Sequence, residues 1–287
     1  MSKQISIRKA HASDRDSLIL VESKSTPNLR YVPHVFDRFV TDQRGEFSVA
    51  EVDGIVVGCA KFTVTPNNTA WVETLRVVPE YQGMGIGKRL YQRFFEVAEL
   101  EKVDTLRMYT GIRNVVSRGL AEHFGFQLEE TFYGAMLSLE HGNRMSKRLS
   151  AFQLVDDATN ASGLLMEHAD QWHNFVIMNR TFYKLTPAMC TYLAELGQVY
   201  QEPESGSVIV LGARFMPWQA LHIGLFAGDA DLCLKFAMEK AAELGVAQLS
   251  CMFPTLVAET KDILLRNQFE LNANPFIVMK KSGGAVN

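Results

Sequence analysis

The sequence predicts an α/β protein that contains two tandem copies of one domain. Segments rich in β-branched and apolar residues alternate with segments whose apolar residues recur at helical spacing. A glycine-rich turn joins one such strand to one such helix, and several residue landmarks recur after about 143 positions. A chain of 287 residues has room for about two domains of ordinary size.

The composition is that of an ordinary globular protein. A net charge of −3 with 21% charged residues lacks the excess of positive charge that is typical of proteins that bind nucleic acid or an anionic membrane. The apolar runs fall short of the ~18 residues that a membrane span needs, and residues 1–11 lack the apolar block of a secretory signal. We therefore expect a cytoplasmic protein. The cysteines lack the spacing of a zinc site or a disulfide framework, so we expect buried thiols and no metal; they are Cys59, Cys190, Cys233 and Cys251.

The elements of the first half follow in order from the local pattern. Gln4–Arg8 alternates like a strand, and Ser13-Asp14 can cap a helix that runs through about Ser23. A second short helix is predicted over Pro33–Thr41, where apolar residues fall near helical spacing. Two strands, Glu46–Glu51 and Ile55–Thr65, form a hairpin over Asp53-Gly54, a dipeptide that suits the positive φ angles of a tight turn.

A strand over Thr69–Val78 ends at Pro79, and a helix begins after the turn Gln82–Gly87. The remaining elements of this half are a strand at Thr105–Thr110, a helix at Asn114–Phe124 closed by Gly125, and an extended segment at Gln127–Leu139. A polar joint at His141–Arg144 then separates two predicted domains, residues 1–142 and 143–287.

The turn at Gln82–Gly87 is predicted to bind an anion. Its three glycines let the backbone approach a ligand, and the following helix directs its free N–H groups at the same place. The helix dipole disfavours cations in a first turn, yet Lys88 and Arg89 stand there. A bound pyrophosphate would reverse the sign of that interaction.

The duplication supplies an internal comparison for this turn. Pairs of similar residues recur at nearly constant offsets: Val103/Val246 and Phe126/Phe269 at 143, Leu90/Leu234 at 144, and Ala60-Lys61-Phe62/Ala213-Arg214-Phe215 at 153. At the offset of 144, Gln82, Gly85 and Gly87 fall opposite Phe226, Asp229 and Asp231. Two aspartates at a helix start suit ordinary capping and would repel a pyrophosphate. We therefore expect that the second copy has lost the anion site.

Two common phosphate-binding motifs do not fit the turn. The dinucleotide fingerprint needs G-x-G-x-x-G and an acid at the end of the next strand, whereas this turn reads G-x-G-x-G and Asp104 precedes that strand. The phosphate loop needs glycine and Ser/Thr where Gln82 and Arg89 stand.

The run VVPEYQGMGIG, Val77–Gly87, resembles the coenzyme A signature Q/R-x-x-G-x-G/A of the GCN5-related N-acetyltransferase (GNAT) superfamily. Asn114 stands twelve residues before Phe126 in Gly125-Phe126, a spacing found in that family, and the order of elements agrees over about residues 3–140. The chain is thus similar to a tandem GNAT protein with a degenerate C-terminal copy. The resemblance implies two domains, each a mixed, mostly antiparallel sheet flanked by helices.

The resemblance also implies a set of acetyl-CoA contacts. The backbone amides of residues 82–87 would hold the pyrophosphate, Val77 and its neighbours would pair with the pantetheine arm, and Asn114 would bind that arm from the other side. The cofactor-binding set is therefore Val77, Val78, Gln82, Gly83, Met84, Gly85, Ile86, Gly87, Lys88 and Asn114.

The catalytic residues are less clearly marked. Acetyl transfer needs a neutral amine and hence a base, and Glu73, on the signature strand, is a candidate; an exposed strand glutamate is the equally ordinary interpretation. The family's usual tyrosine, the general acid, is replaced by Ala121. Tyr133 is then the candidate acid, with Ser117 and Arg118 as open alternatives. His123 should face away from the site, and Cys59 is better interpreted as core than as an acyl carrier.

These observations predict an acetyl-CoA-dependent N-acetyltransferase that acts on a primary amine of a small molecule or peptide by direct attack on the thioester. Arg30, Tyr31 and Trp71 are candidate residues of the substrate rim, and a homodimer is left open. Two alternatives stay open. One is a non-catalytic acyl-CoA-binding regulatory protein, and the other is that residues 145–287 form an unrelated domain.

Overall fold

The computed structural model describes residues 4–26, 29–139 and 151–283. It divides into two compact units: residues 1–108, 114–128 and 279–287 form the first, and residues 109–113 and 129–278 form the second. The predicted joint at 141–144, and with it the boundary between residues 142 and 143, lies outside the described residues. No helix in the described ranges is both long and apolar enough to cross a membrane.

The first unit follows the predicted order of elements. These are β1 (Ile5–Lys9), α1 (Arg15–Ser25), α2 (Val32–Val40), β2 (Glu46–Val52), β3 (Ile55–Val64), β4 (Ala70–Val77), α3 (Ile86–Glu101), β5 (Thr105–Gly111) and α4 (Val115–His123). Strands β1 to β4 are antiparallel neighbours, and β5 runs parallel to β4. The β2–β3 turn has positive φ at Asp53 (50°) and Gly54 (81°), as the dipeptide predicts.

The first helix starts differently from the prediction. Asp14 accepts the His11 N–H at 2.7 Å and pairs with Arg8 at 2.8 Å, so it holds a short 3-10 turn at Ala12–Asp14 and gives α1 no side-chain cap. That ion pair also holds the pKa of Asp14 below its usual range.

Aromatic residues fill the core of the first unit. Phe47 of β2 lies 5.4 Å from Phe39 of α2 in an edge-on contact, and Phe62 of β3 lies 6.3 Å from Phe94 of α3. All four are at most 2% exposed. Burial of side chains of this size stabilises a fold by roughly 1.5–3 kcal/mol each, so these contacts fix α2 and α3 against opposite faces of the sheet strands that place the site.

The first unit is not completed by the strand that follows α4. Strand β6 (Gln127–Ser138) leaves it after Leu128 and pairs with β13 (Gln248–Pro254) of the second unit, from Phe132 to Ser138. The place beside β5 is taken by β15 (Phe276–Ser282), whose residues from Met279 onward belong to the first unit. The prediction that one unit is complete at Leu139 is therefore wrong. Strand order depends on pairing between distant segments, which a local pattern does not encode.

The second unit repeats the same kind of architecture. Its further elements are β7 (Gln153–Leu154), α5 (Ala158–Glu167), β8 (Phe175–Met178), β9 (Thr181–Lys184), α6 (Pro187–Glu195), β10 (Val199–Gln201), β11 (Val208–Gly212), β12 (Leu221–Ala227), α7 (Ala230–Glu243), α8 (Ala258–Arg266) and β14 (Glu270–Leu271). Strands β7, β10, β11 and β12 are antiparallel in that order, and β13 runs parallel to β12. Strands β8 and β9 form a separate hairpin.

The structure confirms the duplication. Helix α7 follows α3, and β13 and α8 follow β5 and α4, at the same offsets that the sequence landmarks have. One proposed landmark is wrong: Ala60–Phe62 lie within β3, whereas Ala213–Phe215 follow the end of β11. Short three-residue matches of this kind arise without structural equivalence. The second half therefore repeats the fold of the first and is not an unrelated domain.

Candidate functional site

A β-bulge in β4 creates the site in the first unit. Cys59 of β3 is opposite Arg76, but Lys61 is opposite Glu73, so two steps along β3 match three along β4. The bulged segment contains Thr74, whose φ of 60° is rare for a β-branched residue. The Thr74 carbonyl accepts a hydrogen bond from the Cys59 thiol at 3.5 Å, which holds the bulge against β3.

Among the described residues, β4 and β5 are paired only at the start of β4. The parallel pairing of β4 with β5 covers Ala70 and Trp71 opposite Leu106 and Arg107. From Glu73 to Val77, β4 is paired to β3 on its other edge. The β5-facing edge of this stretch can therefore form hydrogen bonds with an extended ligand, as a further strand would.

The glycine turn connects β4 to α3 through backbone that glycine adopts most easily. A 3-10 turn at Pro79–Tyr81 precedes it, and Gly83 and Gly85 have φ of 79° and 81°. The Gln82 amide donates to the Val77 carbonyl at 3.0 Å and so closes the turn onto the end of β4. In the described chain, none of the backbone N–H groups from Gly83 to Lys88 donates to another residue. These are the donors of an anion site.

The surroundings of these amides also suit an anion. Gly85 is the N-cap of α3, and the first turn of this 16-residue helix contains no acid. A Cβ atom placed on Gly83 or Gly85 would meet no atom within 4 Å, so the space beside them is open. Lys88 is exposed beside the turn, whereas Arg89 donates to the Ile5 carbonyl at 3.0 Å and is engaged by β1. Lys88 is thus the cation of the pair that can reach an anion.

Asn114 serves first as a helix cap. Its Oδ1 accepts the Ser117 N–H at 3.1 Å at the start of α4. The side chain is exposed, and its Nδ2 has no hydrogen-bond partner within the described ranges. The amide nitrogen can therefore donate to a ligand while the oxygen keeps its capping role.

Glu73 lies on β4 immediately before the bulge. Its Oε1 accepts a hydrogen bond from the Thr63 hydroxyl at 2.8 Å, and the side chain is partly exposed. A carboxylate that is oriented by a hydrogen bond and still reaches solvent can accept a proton from an incoming amine.

The residues around the bulge form a buried polar cluster that the sequence did not indicate. Glu22 of α1 and Arg76 of β4 form an ion pair at 2.9 Å, and both side chains are at most 3% exposed. Both carboxylate oxygens of Glu22 accept the Val32 N–H at 3.1 Å, and one of them also accepts the Tyr31 N–H at 3.0 Å. The pair therefore ties the start of α2 to β4. No spacing in the sequence could have shown this contact, because its partners are distant in the chain and belong to no common motif.

The three rim candidates have different positions. The Tyr31 hydroxyl lies 2.7 Å from the Thr74 hydroxyl, and its ring lies under the Arg76 guanidinium at 4.9 Å, so Tyr31 is in place beside the bulge. Arg30 is exposed. Trp71 is 1% exposed and belongs to the core, not to a rim, because the inward face of β4 carries it.

The candidate acids have different surroundings. Tyr133 belongs to the second unit, where its ring lies 5.8 Å from Phe253. Ala121 is fully buried in α4, and Arg118 is paired with Glu122 at 2.8 Å. His123 is exposed, as predicted.

Cys59 is part of the core, as predicted. It is fully buried, and burial raises the pKa of its thiol to about 12 even though the nearby Arg76 opposes that shift. A thiol of this kind is a poor acyl carrier at neutral pH.

The second unit keeps the bulge but not the anion site. Val210 and Leu211 of β11 pair with Leu225 and Ile223, which leaves an extra residue in β12. The chain then passes from Ala227 to α7 through Gly228 and Asp229 alone, without a counterpart of the glycine turn.

The donors at the start of α7 are used within the protein. The Asp229 side chain accepts the Leu232 N–H at 3.0 Å, and Asp231 pairs with Arg266 at 3.0 Å. The Phe226 carbonyl near the end of β12 accepts a hydrogen bond from the Trp172 indole at 2.8 Å. As predicted, the second copy has an acidic helix start in place of the glycine turn.

The sequence and the fold are similar to those of known acetyltransferases. Residues 14–126 match the family described as Acetyltransferase (GNAT) family. No curated protein sequence matches the chain. Among solved structures, a GCN5-related N-acetyltransferase from Sphaerobacter thermophilus has a TM-score of 0.67 at 14% identity, over 98% of this chain and 97% of that one.

Two further solved structures show the same fold. A tandem GNAT protein from the clavulanic acid biosynthesis pathway has a TM-score of 0.62 at 14% identity, over 99% of this chain and 100% of that one. A GCN5-related N-acetyltransferase from Kribbella flavida has a TM-score of 0.55 at 14% identity, over 98% of this chain and 71% of that one. The fold of the whole chain is therefore that of two GNAT-like domains in tandem.

Proposed function

We propose that this protein transfers an acetyl group from acetyl-CoA to a primary amine of a small molecule or peptide. The match of residues 14–126 to the acetyltransferase (GNAT) family supports the proposal. The observation that carries the proposal is the row of backbone N–H groups from Gly83 to Lys88, which face open space at the start of a long helix. Donors of this kind bind a phosphate group.

Three parts of the first unit would hold acetyl-CoA. The amides of Gly83–Lys88 bind the pyrophosphate, and the Lys88 ammonium adds a positive charge. The β5-facing edge of β4, up to the N–H of Val77, pairs with the amide groups of the pantetheine arm. Val78, also predicted as a contact, instead donates its N–H to the Val57 carbonyl at 2.9 Å. The Nδ2 of Asn114 donates to the same arm. Acetyl-CoA supplies the activated thioester.

The protein must remove a proton from the amine substrate. An alkyl amine has a pKa near ~10, so it is protonated at neutral pH and must lose a proton before it forms the new C–N bond. Glu73 accepts that proton, and the thiolate released as the C–S bond breaks takes a proton from water. The bulge at Thr74 and the adjacent Tyr31 hydroxyl place polar groups beside Glu73, where the acceptor binds.

Turnover with a panel of amines tests the proposal. Free thiol released from acetyl-CoA is measured with polyamines, amino sugars, amino acids and short peptides, and the acetylated product is identified by mass spectrometry. Release of thiol with at least one amine, and its loss in Gly85→Asp, is the expected result. Binding of acetyl-CoA without turnover for any amine class would contradict transfer.

Ala121, in place of the family's usual tyrosine, favours a second candidate function. Ala121 is fully buried and offers no proton donor, so a non-catalytic acyl-CoA-binding regulatory protein is the alternative. It predicts acetyl-CoA binding with the same dependence on Gly85 but no acetylated product.

A further inference from the structure

The turn between β8 and β9 carries an arginine where glycine is favoured. Asn179 and Arg180 have φ of 48° and 59°, and Met178 is paired with Thr181 across the turn. Two-residue turns of this kind prefer Asn-Gly, since the second position has a positive φ. An arginine there is less stable than a glycine, because a side chain with a Cβ atom disfavours the left-handed conformation. Residues held in such conformations occur often at binding sites, where the side chain has a use.

The turn is fixed by the chain segment after β11. The Asn179 Oδ1 accepts the N–H groups of Arg214 and Phe215 at 2.6 and 3.3 Å, and its Nδ2 donates to the Phe215 carbonyl at 2.8 Å. These three hydrogen bonds hold the backbone of Arg180 in one position. A ligand group that binds there would meet a pre-organised side chain.

Arg180 has no hydrogen bond or ion pair with any of the described residues, although its side chain is partly buried. Its guanidinium carbon lies 5.4 Å from the centroid of the Phe276 ring, which in turn lies 6.0 Å from the Tyr109 ring. The neighbouring Arg214 differs, because it donates to the Thr181 hydroxyl at 2.8 Å. Removing an arginine partly from water without a counter-ion is unfavourable, and an anion would relieve that cost.

His222 of β12 is a further polar side chain of this unit. Burial, followed by repulsion from the positive charge of Arg180, lowers the pKa of His222 to about 4, so the ring is neutral at pH 7. A neutral ring does not supply the negative charge that the Arg180 guanidinium lacks.

We infer that Arg180, with the rings of Phe276 and Tyr109, forms a site in the second unit for a small aromatic carboxylate. The guanidinium presents two parallel donors that match a carboxylate. The two rings supply aromatic surface against which the aromatic body of the ligand packs. The site uses residues of the second unit alone and does not depend on acetyl transfer.

Calorimetric titration tests the inference with phenylacetate and its neutral analogue phenylacetamide. Phenylacetate is expected to bind the full-length protein, and Arg180→Met is expected to raise its Kd by at least about tenfold, since a charged hydrogen-bonding partner is lost. Arg266→Met is the matched control, because it removes an exposed arginine of the same unit that already pairs with Asp231. Equal affinity in Arg180→Met and the unaltered protein, or no binding of phenylacetate by the unaltered protein, would overturn the inference.

A second measurement needs no variant and so does not depend on the folding of one. Phenylglyoxal modifies accessible arginines, and peptide mapping of the unaltered protein reports modification at residue 180. Phenylacetate is expected to protect that residue, and phenylacetamide is not. Modification of residue 180 at the same rate with and without phenylacetate contradicts the site. Because neither experiment contains acetyl-CoA, a negative result leaves the proposed transferase reaction untouched.

Discussion

Replacing Gly85 by aspartate tests whether the glycine turn binds the pyrophosphate, and the chain contains a matched control. Gly85 and Gly54 both have a φ of 81°, and a Cβ atom at either position would meet no atom within 4 Å. Gly85→Asp and Gly54→Asp therefore impose the same backbone strain and the same change in net charge. Only Gly85 lies beside the free amides at the start of α3.

The two variants should lose similar stability and differ in binding. Strain in the left-handed region costs roughly 1–2 kcal/mol for a residue with a Cβ atom, and this loss is common to both. At position 85 the carboxylate also repels the ligand: a unit charge about 5 Å away in surroundings of effective dielectric constant about 20 contributes roughly 3 kcal/mol. Affinity for acetyl-CoA should fall by about a hundredfold or more in Gly85→Asp and stay unchanged in Gly54→Asp.

Thermal denaturation with and without acetyl-CoA measures this difference. At a concentration of about 100 times Kd, a ligand stabilises the folded state by ~2.7 kcal/mol, which raises the Tm of a protein of this size by roughly 5–10 °C. After a hundredfold loss of affinity the same concentration contributes about 0.4 kcal/mol, or roughly 1 °C. An undiminished shift in Gly85→Asp would show that the anion site lies elsewhere.

Four further outcomes follow from the site and the fold. Glu73→Gln should lower kcat by about 10²–10⁴ with KM little changed, whereas Glu51→Gln should leave kcat unchanged; a loss below threefold would rule out Glu73 as the base. Asn114→Ser keeps a capping oxygen but removes the amide donor, so calorimetry should show weaker acetyl-CoA binding at an unaltered Tm. The raised pKa of Cys59, about 12, predicts negligible alkylation of that thiol by iodoacetamide at pH 8, increasing as the pH approaches 12; rapid labelling of folded protein at pH 8 would contradict its burial. Deletion of residues 279–287 should destabilise the first unit and weaken acetyl-CoA binding, whereas deletion of 284–287 removes no residue of β15 and should have little effect on either.

The sequence predicted the features of the site that depend on neighbouring residues. Glycine spacing and helix-capping rules predicted the turn at Gln82–Gly87 and the helix that follows it. The structure begins that helix at Ile86 and gives Gly83 and Gly85 positive φ angles. The loss of the anion site in the second copy followed from one offset, because Gly85 and Asp229, which that offset places opposite each other, are indeed the N-caps of α3 and α7.

Features that depend on contacts between distant segments could not be predicted in this way. Thr74 adopts a positive φ that its β-branched side chain disfavours, and only the pairing of β4 with β3 shows why. The ion pair of Glu22 with Arg76, and the contact of Arg180 with the Phe276 ring, likewise join residues with no common motif. Trp71 was predicted to line the substrate rim, but it is buried. In a bulged strand, the simple alternation of side chains does not show which residues face the core.

The position of β15 has a consequence for synthesis of the protein on the ribosome. The Gly283 N–H donates to the Asp104 carbonyl at 3.0 Å, so the sheet of the first unit is closed by residues that are translated about 180 positions later. That unit cannot finish folding while the rest of the chain is being made, and the edge of β5 stays available to other strands until then. Closure of so long a loop is slow, so the nascent protein should depend on chaperones more than its size suggests.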